Sequence, residues 1–276
     1  MKLNCRSEAK QPVRGGKEIG CGPCPDVDAI WQVLFGILVL SATLAVNRSL
    51  EIVAGSGHYS EAQAAFKWET HKHDYATGVD IIWELYLPTV LEAVKARLFK
   101  CIVVATECTT FCRANTVYPL RTNDSPMGLP SLTPRQRRRC RQGNQLLKIS
   151  ITIFIAAVEA GALVFLENPL PSMLWTNPLT KALWKLVDAG AVREIVTCYC
   201  AWGAPWQKAT RILTNLPQDK CDSLSRPCCG RRRHEESLQG WMKTEDGKVI
   251  AKTKLGNSYP RPLCVAWAGA VHAHWQ

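Results

Sequence analysis

Four short segments stand along this chain in a fixed order, and their order constrains the fold more than any one of them does. They are Leu50-Glu-Ile-Val-Ala-Gly-Ser-Gly57, Glu107-Cys-Thr-Thr-Phe111, Leu166-Glu-Asn-Pro169 and Leu255-Gly-Asn-Ser-Tyr-Pro260. The first is an apolar strand running into a glycine turn, the second follows a strand with a thiol, and the third ends a strand on a carboxylate. Apolar runs of four to six residues, separated by helix-length stretches, are the pattern of a parallel sheet covered on both faces.

The elements between the segments agree with that reading. Residues 61–66 and 88–99 read as helices, with Cys101-Ile-Val-Val-Ala105 a buried strand after them. Proline-broken sequence over residues 113–141 reads as one long loop, of the length that usually carries function or disorder. A helix is expected over residues 145–160, a strand over 162–166, a helix over 177–189 and a strand over 194–200. Three segments flank the resulting domain, residues 49–215. Residues 1–48 form a leader, 216–250 a short basic, cysteine-bearing module, and 251–276 a helical tail returning to the domain.

Charge narrows the partners. The formal net charge is +11, and the excess gathers in Arg135-Gln-Arg-Arg-Arg-Cys-Arg141 and Arg231-Arg-Arg233. Dense arginine runs suit a polyanion, because each phosphate they neutralise releases counterions. Thirteen cysteines, an odd number in a chain of this size, read mainly as reduced thiols of an intracellular protein, nuclear or cytoplasmic. The apolar stretch 29–46 is at the edge of membrane-spanning length, and is expected to be a buried packing helix rather than an anchor. Cys21-Gly-Pro-Cys24 has the spacing of a redox pair or of half a zinc site, without the flanking strand and helix that a redox pair requires.

Specific residues then suggest chemistry. A glycine turn between a strand and a helix lets backbone approach a ligand, with the helix N-terminus favouring its negative charge. Asp74, about one strand further on, is placed to accept ribose hydroxyls; the plain alternative is a capped surface turn. Cys108, beyond a strand end, is a candidate nucleophile, although the carboxylate of Glu107 beside it opposes thiolate formation. Glu167 after an apolar strand calls for a ligand or an arginine facing it. Cys221, Cys228, Cys229 and His234 form a quartet able to take tetrahedral zinc, but at a spacing unlike standard fingers, and no metal is expected.

Taken in order, the four segments resemble the C5-cytosine DNA methyltransferases, in the manner of divergent phage or mobile-element members, over about residues 49–271. That family carries a glycine-rich cofactor turn, a Pro-Cys nucleophile, a Glu-Asn-Val segment and a late Gly-Asn-Ser/Ala segment. Glu107 stands here in place of its proline, and Pro169 in place of its valine. The resemblance implies an α/β fold, the Rossmann-like sheet of S-adenosylmethionine-dependent methyltransferases with helices on both faces and a short inserted recognition module. It implies S-adenosylmethionine as cofactor, held by Ala54, Gly55, Gly57, Asp74, Asp80 and Asn257. It also implies Cys108 as nucleophile, Glu167 as the residue sharing a proton with cytosine N3, and DNA as the partner. Nucleic acid would be met by Arg135, Arg137, Arg138, Arg139, Arg141, Lys208, Arg211, Arg231, Arg232 and Arg233, with Trp202 as a stacking aromatic and Asn215 completing the downstream pattern. The competing expectation is a catalytically inactive module of a mobile element that only binds nucleic acid.

Overall fold

A computed structural model describes residues 46–113, 119–228, 230 and 234–276. The leader's apolar stretch up to Ala45, its cysteine pair, Cys229 and the Arg231–Arg233 run lie outside the described residues.

The strands are β1 (Arg48–Ile52), β2 (Glu69–His73), β3 (Cys101–Val104), β4 (Leu163–Pro169), β5 (Arg193–Cys198) and β6 (Ala209–Thr214), in one sheet of order β2-β1-β3-β4-β6-β5. The first four run parallel, and β6 lies antiparallel between β4 and β5. The expected neighbours β1, β3 and β4 are therefore adjacent and parallel. The sheet as a whole is mixed, which corrects the all-parallel expectation. Around Arg211 the sequence reads as a nucleic-acid contact rather than a strand, yet Thr210, Ile212 and Thr214 are buried in β6.

Side chains alternate across each strand, so the sheet has two separate apolar faces. Leu50, Ile52, Ile102, Val104, Val164, Leu166 and Leu213 pack beneath α2 (Tyr86–Lys95), α3 (Pro134–Ala160) and α4 (Lys181–Asp188). Cys101, Val103, Leu163, Phe165, Ile195 and Ile212 face α1 (His58–Ala65), α5 (Gln218–Leu224) and α6 (Arg261–His274). Trp267 of α6 anchors the second face, with ring centroids 4.9 Å from Tyr59, 5.0 Å from Phe165 and 5.8 Å from Tyr259. The result is a Rossmann-like α/β fold with a mixed sheet and helices on both faces. The module adds α5 and a two-stranded hairpin, β7 (Trp241–Lys243) with β8 (Val249–Ala251).

The long expected loop ends earlier than its arginines suggest. Helix α3 begins at Pro134 and runs 27 residues, so Arg135 to Arg141 lie in its first two turns. Thr133 and Gln136 form a reciprocal capping box, and Pro134 occupies the first turn, where its missing N–H costs nothing. Arginine itself is a good helix former. By length and composition α3 could cross a membrane. Leu147, Ile153, Phe154 and Ala157 on it are instead buried in the first core, which accounts for its apolar half.

Candidate functional site

The carboxyl ends of β1, β2, β3 and β4 form one edge, where open α/β sheets bind ligands. At the end of β1 the chain turns through Val53, Ala54, Gly55 and Gly57 into α1. Gly55 (φ 55°) and Gly57 (φ 68°) adopt the left-handed conformation that glycine permits, and a side chain at Gly55 would meet open space. Val53, a β-branched residue, also holds a positive φ of 58°, secured by its N–H donating to His73 O at 2.8 Å. Strain of this kind persists only where the surroundings over-determine it.

Asp74 ends β2 beside this turn. One carboxylate oxygen accepts from the Gly55 N–H (3.1 Å) and the other from the Ala76 N–H (2.9 Å), capping a short 3₁₀ turn. The capped-turn reading and the ligand reading are thus both open to the same residue, since each oxygen keeps a lone pair. Asp80 accepts from Tyr75 Oη and Ile82 N, so its carboxylate organises its own loop. Within β1, buried Glu51 accepts from both the N–H and hydroxyl of Ser60, which fixes the first turns of α1 against the strand. Its other oxygen is buried without a partner among the described residues, and burial raises the Glu51 pKa.

Cys108 lies in the turn beyond β3, at the next position along the edge. Burial pushes its thiol up to about 11; Lys208 opposes the shift, and Glu167, Cys112 and Glu107 add to it in falling order. The adjacent Glu107, which the sequence marks as the main obstacle to a thiolate, is therefore the smallest of the named contributors. Its carboxyl points toward α3, where Thr110 Oγ1 donates to it at 3.4 Å and the charges of Arg139 and Arg121 act on it. Gly143 of α3 makes this approach possible, because a Cβ there would clash with Thr110 Oγ1 and crowd the Arg121 side chain.

Arg121 is the pin of the same region. It is 1% exposed, stacks 4.1 Å from the Phe111 ring centroid and donates to Thr110 O, Pro126 O, Asn144 Oδ1 and Cys140 O. Its donors are thereby satisfied from both the loop and α3, which it ties together. Sequence reasoning did not single it out.

Glu167 is buried in β4 and faces α6. Its oxygens accept from Thr210 Oγ1 of β6 and from Tyr259 Oη at 2.9 Å, so neutral hydroxyls stand where an arginine or ligand was expected. The next residue, Asn168, points to the opposite face and donates to Thr106 O at 2.7 Å, tying the Cys108 turn to β4. Its side-chain oxygen Oδ1 is buried without a partner among the described residues. Lys208 completes the group: its Nζ donates to Gly256 O (2.7 Å) and Tyr199 Oη (3.2 Å) and lies 4.5 Å from the Tyr199 ring centroid. The late Gly256-Asn257-Ser-Tyr259 segment thus meets both Lys208 and Glu167. It also meets the glycine turn, where His58 Nδ1 lies 2.9 Å from Tyr259 O. Asn257 itself is exposed at the end of a 3₁₀ turn.

Two expected nucleic-acid contacts are occupied by the fold. Arg211 donates to Glu194 Oε1 at 2.9 Å and lies over Trp175 and Trp184, while Asn215 bridges Val164 N and Ala162 O across the sheet. Trp202 is no open stacking platform either: it is buried, its N–H donates to Thr197 Oγ1, and Arg226 covers its ring at 3.9 Å. Tyr199 is the aromatic that accompanies Lys208. By contrast Arg135, Arg137, Arg138, Arg139 and Arg141 are all exposed along the first turns of α3. Cations there oppose the helix dipole, and no acidic residue offsets them in the first turn.

Three solved structures are similar in fold. The Entamoeba histolytica methyltransferase EhMeth is 8% identical, with 84% of this chain and 100% of that chain covered at a TM-score of 0.45. The S. pombe Dnmt2 methyltransferase is 12% identical, covering 72% of this chain and 64% of its own at 0.39. A DNMT2 mutant of Spodoptera frugiperda is 14% identical, covering 70% and 54% at 0.35. No protein-family model matches the sequence, and no curated protein matches it. The fold itself, a Rossmann-like α/β sheet with an antiparallel β6 inserted between β4 and β5, is read from the strand order.

Proposed function

We propose that this chain is an S-adenosylmethionine-dependent methyltransferase acting on C5 of cytosine in nucleic acid, with DNA as the favoured substrate. The observation that carries the reading is the sharing of one sheet edge: the Gly55/Asp74 turn and the Cys108 turn follow the ends of β1, β2 and β3, and Glu167 lies in the last part of β4, just past its parallel pairing with β3.

The turn fits the cofactor. Gly55 leaves open space, Gly57 opens α1, and Asp74 is held by backbone N–H groups with lone pairs to spare. Ala54, Gly55 and Gly57 would cradle the methionine part, Asp74 the ribose and Asp80 the adenine, with Asn257 closing the pocket from the late segment. Bound there, S-adenosylmethionine supplies the methyl group.

The chain's own residues prepare the base. The target must leave the stack, since C5 chemistry cannot be done inside a duplex. The Cys108 thiolate adds to C6, forming a C–S bond, while Glu167 shares a proton with N3 and accommodates the charge pushed into the ring. C5 becomes nucleophilic and accepts the methyl group. Loss of the C5 proton to a base and expulsion of the thiolate then restore the aromatic ring. Thr210 and Tyr259 orient Glu167, and Lys208 is the cation that favours the thiolate. The exposed arginines of α3 supply phosphate contacts next to this turn, through the proximity of Arg139 to Glu107.

A second reading, a catalytically inactive nucleic-acid-binding module, is favoured by one observation: the free Cys108 thiol sits near 11, protonated at neutral pH. The experiment that separates them uses an oligonucleotide with 5-fluorocytosine and S-adenosylmethionine. Fluorine cannot leave in the final elimination, so the enzyme reading expects a covalent complex that Cys108→Ser abolishes and Cys112→Ser spares. No complex with intact cofactor binding leaves the binding module as the account.

A further inference from the structure

Strand β5 is the edge of the sheet, and an unpaired edge needs a cover. The segment after α5 provides it. Arg226 O accepts from Cys198 N at 2.8 Å and from Thr197 Oγ1 at 3.3 Å, and Ser225 Oγ donates to Val196 O. This pairing brings Cys228 to the end of β5, where Cys198 closes the strand and Cys200 sits in the following 3₁₀ turn.

Three ligand atoms meet at that point, and a fourth stands beside one of them. Sγ of Cys198 and of Cys200 are 3.3 Å apart, Cys200 and Cys228 are 3.6 Å apart, and the three sulfurs all lie within 4.8 Å of one another. His234 Nε2 is 3.4 Å from Cys228 Sγ. These separations exceed by far the ~2.05 Å of a disulfide. They approach the ~3.8 Å between two thiolates bound tetrahedrally at ~2.3 Å from one zinc ion. Cys221, which the sequence offered as a member of such a quartet, is elsewhere: its buried thiol donates to Leu216 O at 3.3 Å.

We propose that Cys198, Cys200, Cys228 and His234 hold one zinc ion in a closed Cys₃His site that fastens the inserted module to the edge of the sheet. Three thiolates and one imidazole fill a tetrahedron and leave no position for water, so the site is structural rather than catalytic. Its ligands come in two pairs, one from the β5 end and one from the module. Metal binding therefore crosslinks the β5 end to the part of the module that follows α5, and its free energy becomes folding free energy of that part. In sequence, Arg231, Arg232 and Arg233 fall between the third and fourth ligands.

The test uses the full chain, expressed with zinc in the medium and purified reduced without chelator. Metal analysis should find one zinc per chain. Cys200→Ser and Cys228→Ser should each lower retained zinc at least tenfold after dialysis against a weak chelator, while Cys221→Ser should keep it. Replacement by cobalt(II) in the unmodified chain should give thiolate-to-metal charge transfer and intense tetrahedral visible bands, a readout that does not depend on any variant folding. Zinc-free protein with no cobalt spectrum would overturn the proposal. So would zinc retained in both Cys200→Ser and Cys228→Ser, or a Cys198–Cys200 disulfide found under the same reducing conditions.

Discussion

The two halves of the sheet's carboxyl edge are built differently. Around Gly55 and Asp74 the chain is open: the glycine carries no neighbour where a side chain would go, Asp74 is only half-buried, and strain sits in the backbone at Val53. Around Cys108 and Glu167 it is closed and satisfied from within, by Thr210, Tyr259, Lys208, Asn168 and the Arg121 pin. An open, strained turn is ready for a ligand in the state described. A buried thiol near 11 with a hydroxyl-capped carboxylate must exchange its internal partners for those of a substrate. On the proposed function, the first half would bind without rearrangement and the second would gain reactivity only when occupied.

The contrast breaks most visibly if the closed half is unpinned. Arg121→Met removes a buried guanidinium and takes from Thr110 O its side-chain donor, while Pro126 O keeps Asn177 Nδ2 and Cys140 O its place in α3. The expected cost is about 3–5 kcal/mol, read as a lower urea midpoint. Cofactor binding at the other half should be weakened far less in the fraction that stays folded. A smaller loss is expected for Gly143→Ala. Alanine is the better helix former by about 1 kcal/mol, yet its Cβ clashes with Thr110, so the variant should be destabilised by about 1–3 kcal/mol. A stabilised Gly143→Ala would mean that α3 does not press on the Cys108 turn.

Reactivity sharpens the comparison at smaller cost. With its thiol held near 11, Cys108 should be alkylated about tenfold faster for each pH unit gained below that value, as the thiolate fraction rises. Lys208→Met removes the one named group that lowers this pKa and should raise it by about 0.5–1 unit. Glu107→Gln should lower it by less. Mass-spectrometric rates for the Cys108 peptide across pH 7 to 11 decide this; a larger effect from Glu107 than from Lys208 would restore the adjacent carboxylate as the main obstacle.

How far the sequence reveals this arrangement depends on the range of the contacts. β1, β3 and β4 are legible because both faces of a central strand are buried, so each appears as an unbroken apolar run. β6 is not, because Ala-Thr-Arg-Ile-Leu-Thr buries threonines and clasps an arginine, and reads as a polar motif. The start of α3 was announced by Thr133-Pro134-Arg-Gln136 but masked by the arginine run. Glu167 and Cys108 could be singled out by position at strand ends. Their partners could not, since Thr210 and Tyr259 lie 43 and 92 residues from Glu167 and meet it only through the packing of β6 and α6. The cysteine cluster at β5 escaped for the same reason, with Cys198 and Cys200 read as strand and Cys221 read as ligand.

The central claim is that the open half of the edge is a cofactor site, and calorimetry with S-adenosylmethionine tests it most directly. The full chain should bind with one-to-one stoichiometry. Asp74→Ala, which removes the ribose acceptor and one hydrogen bond to the glycine turn, should weaken binding about tenfold or more, roughly 1.4 kcal/mol. Asp219→Ala, on an exposed face of the module, should leave affinity unchanged. No heat and no competition by S-adenosylhomocysteine with the folded chain, or equal affinity in the Asp74→Ala variant, would contradict the account.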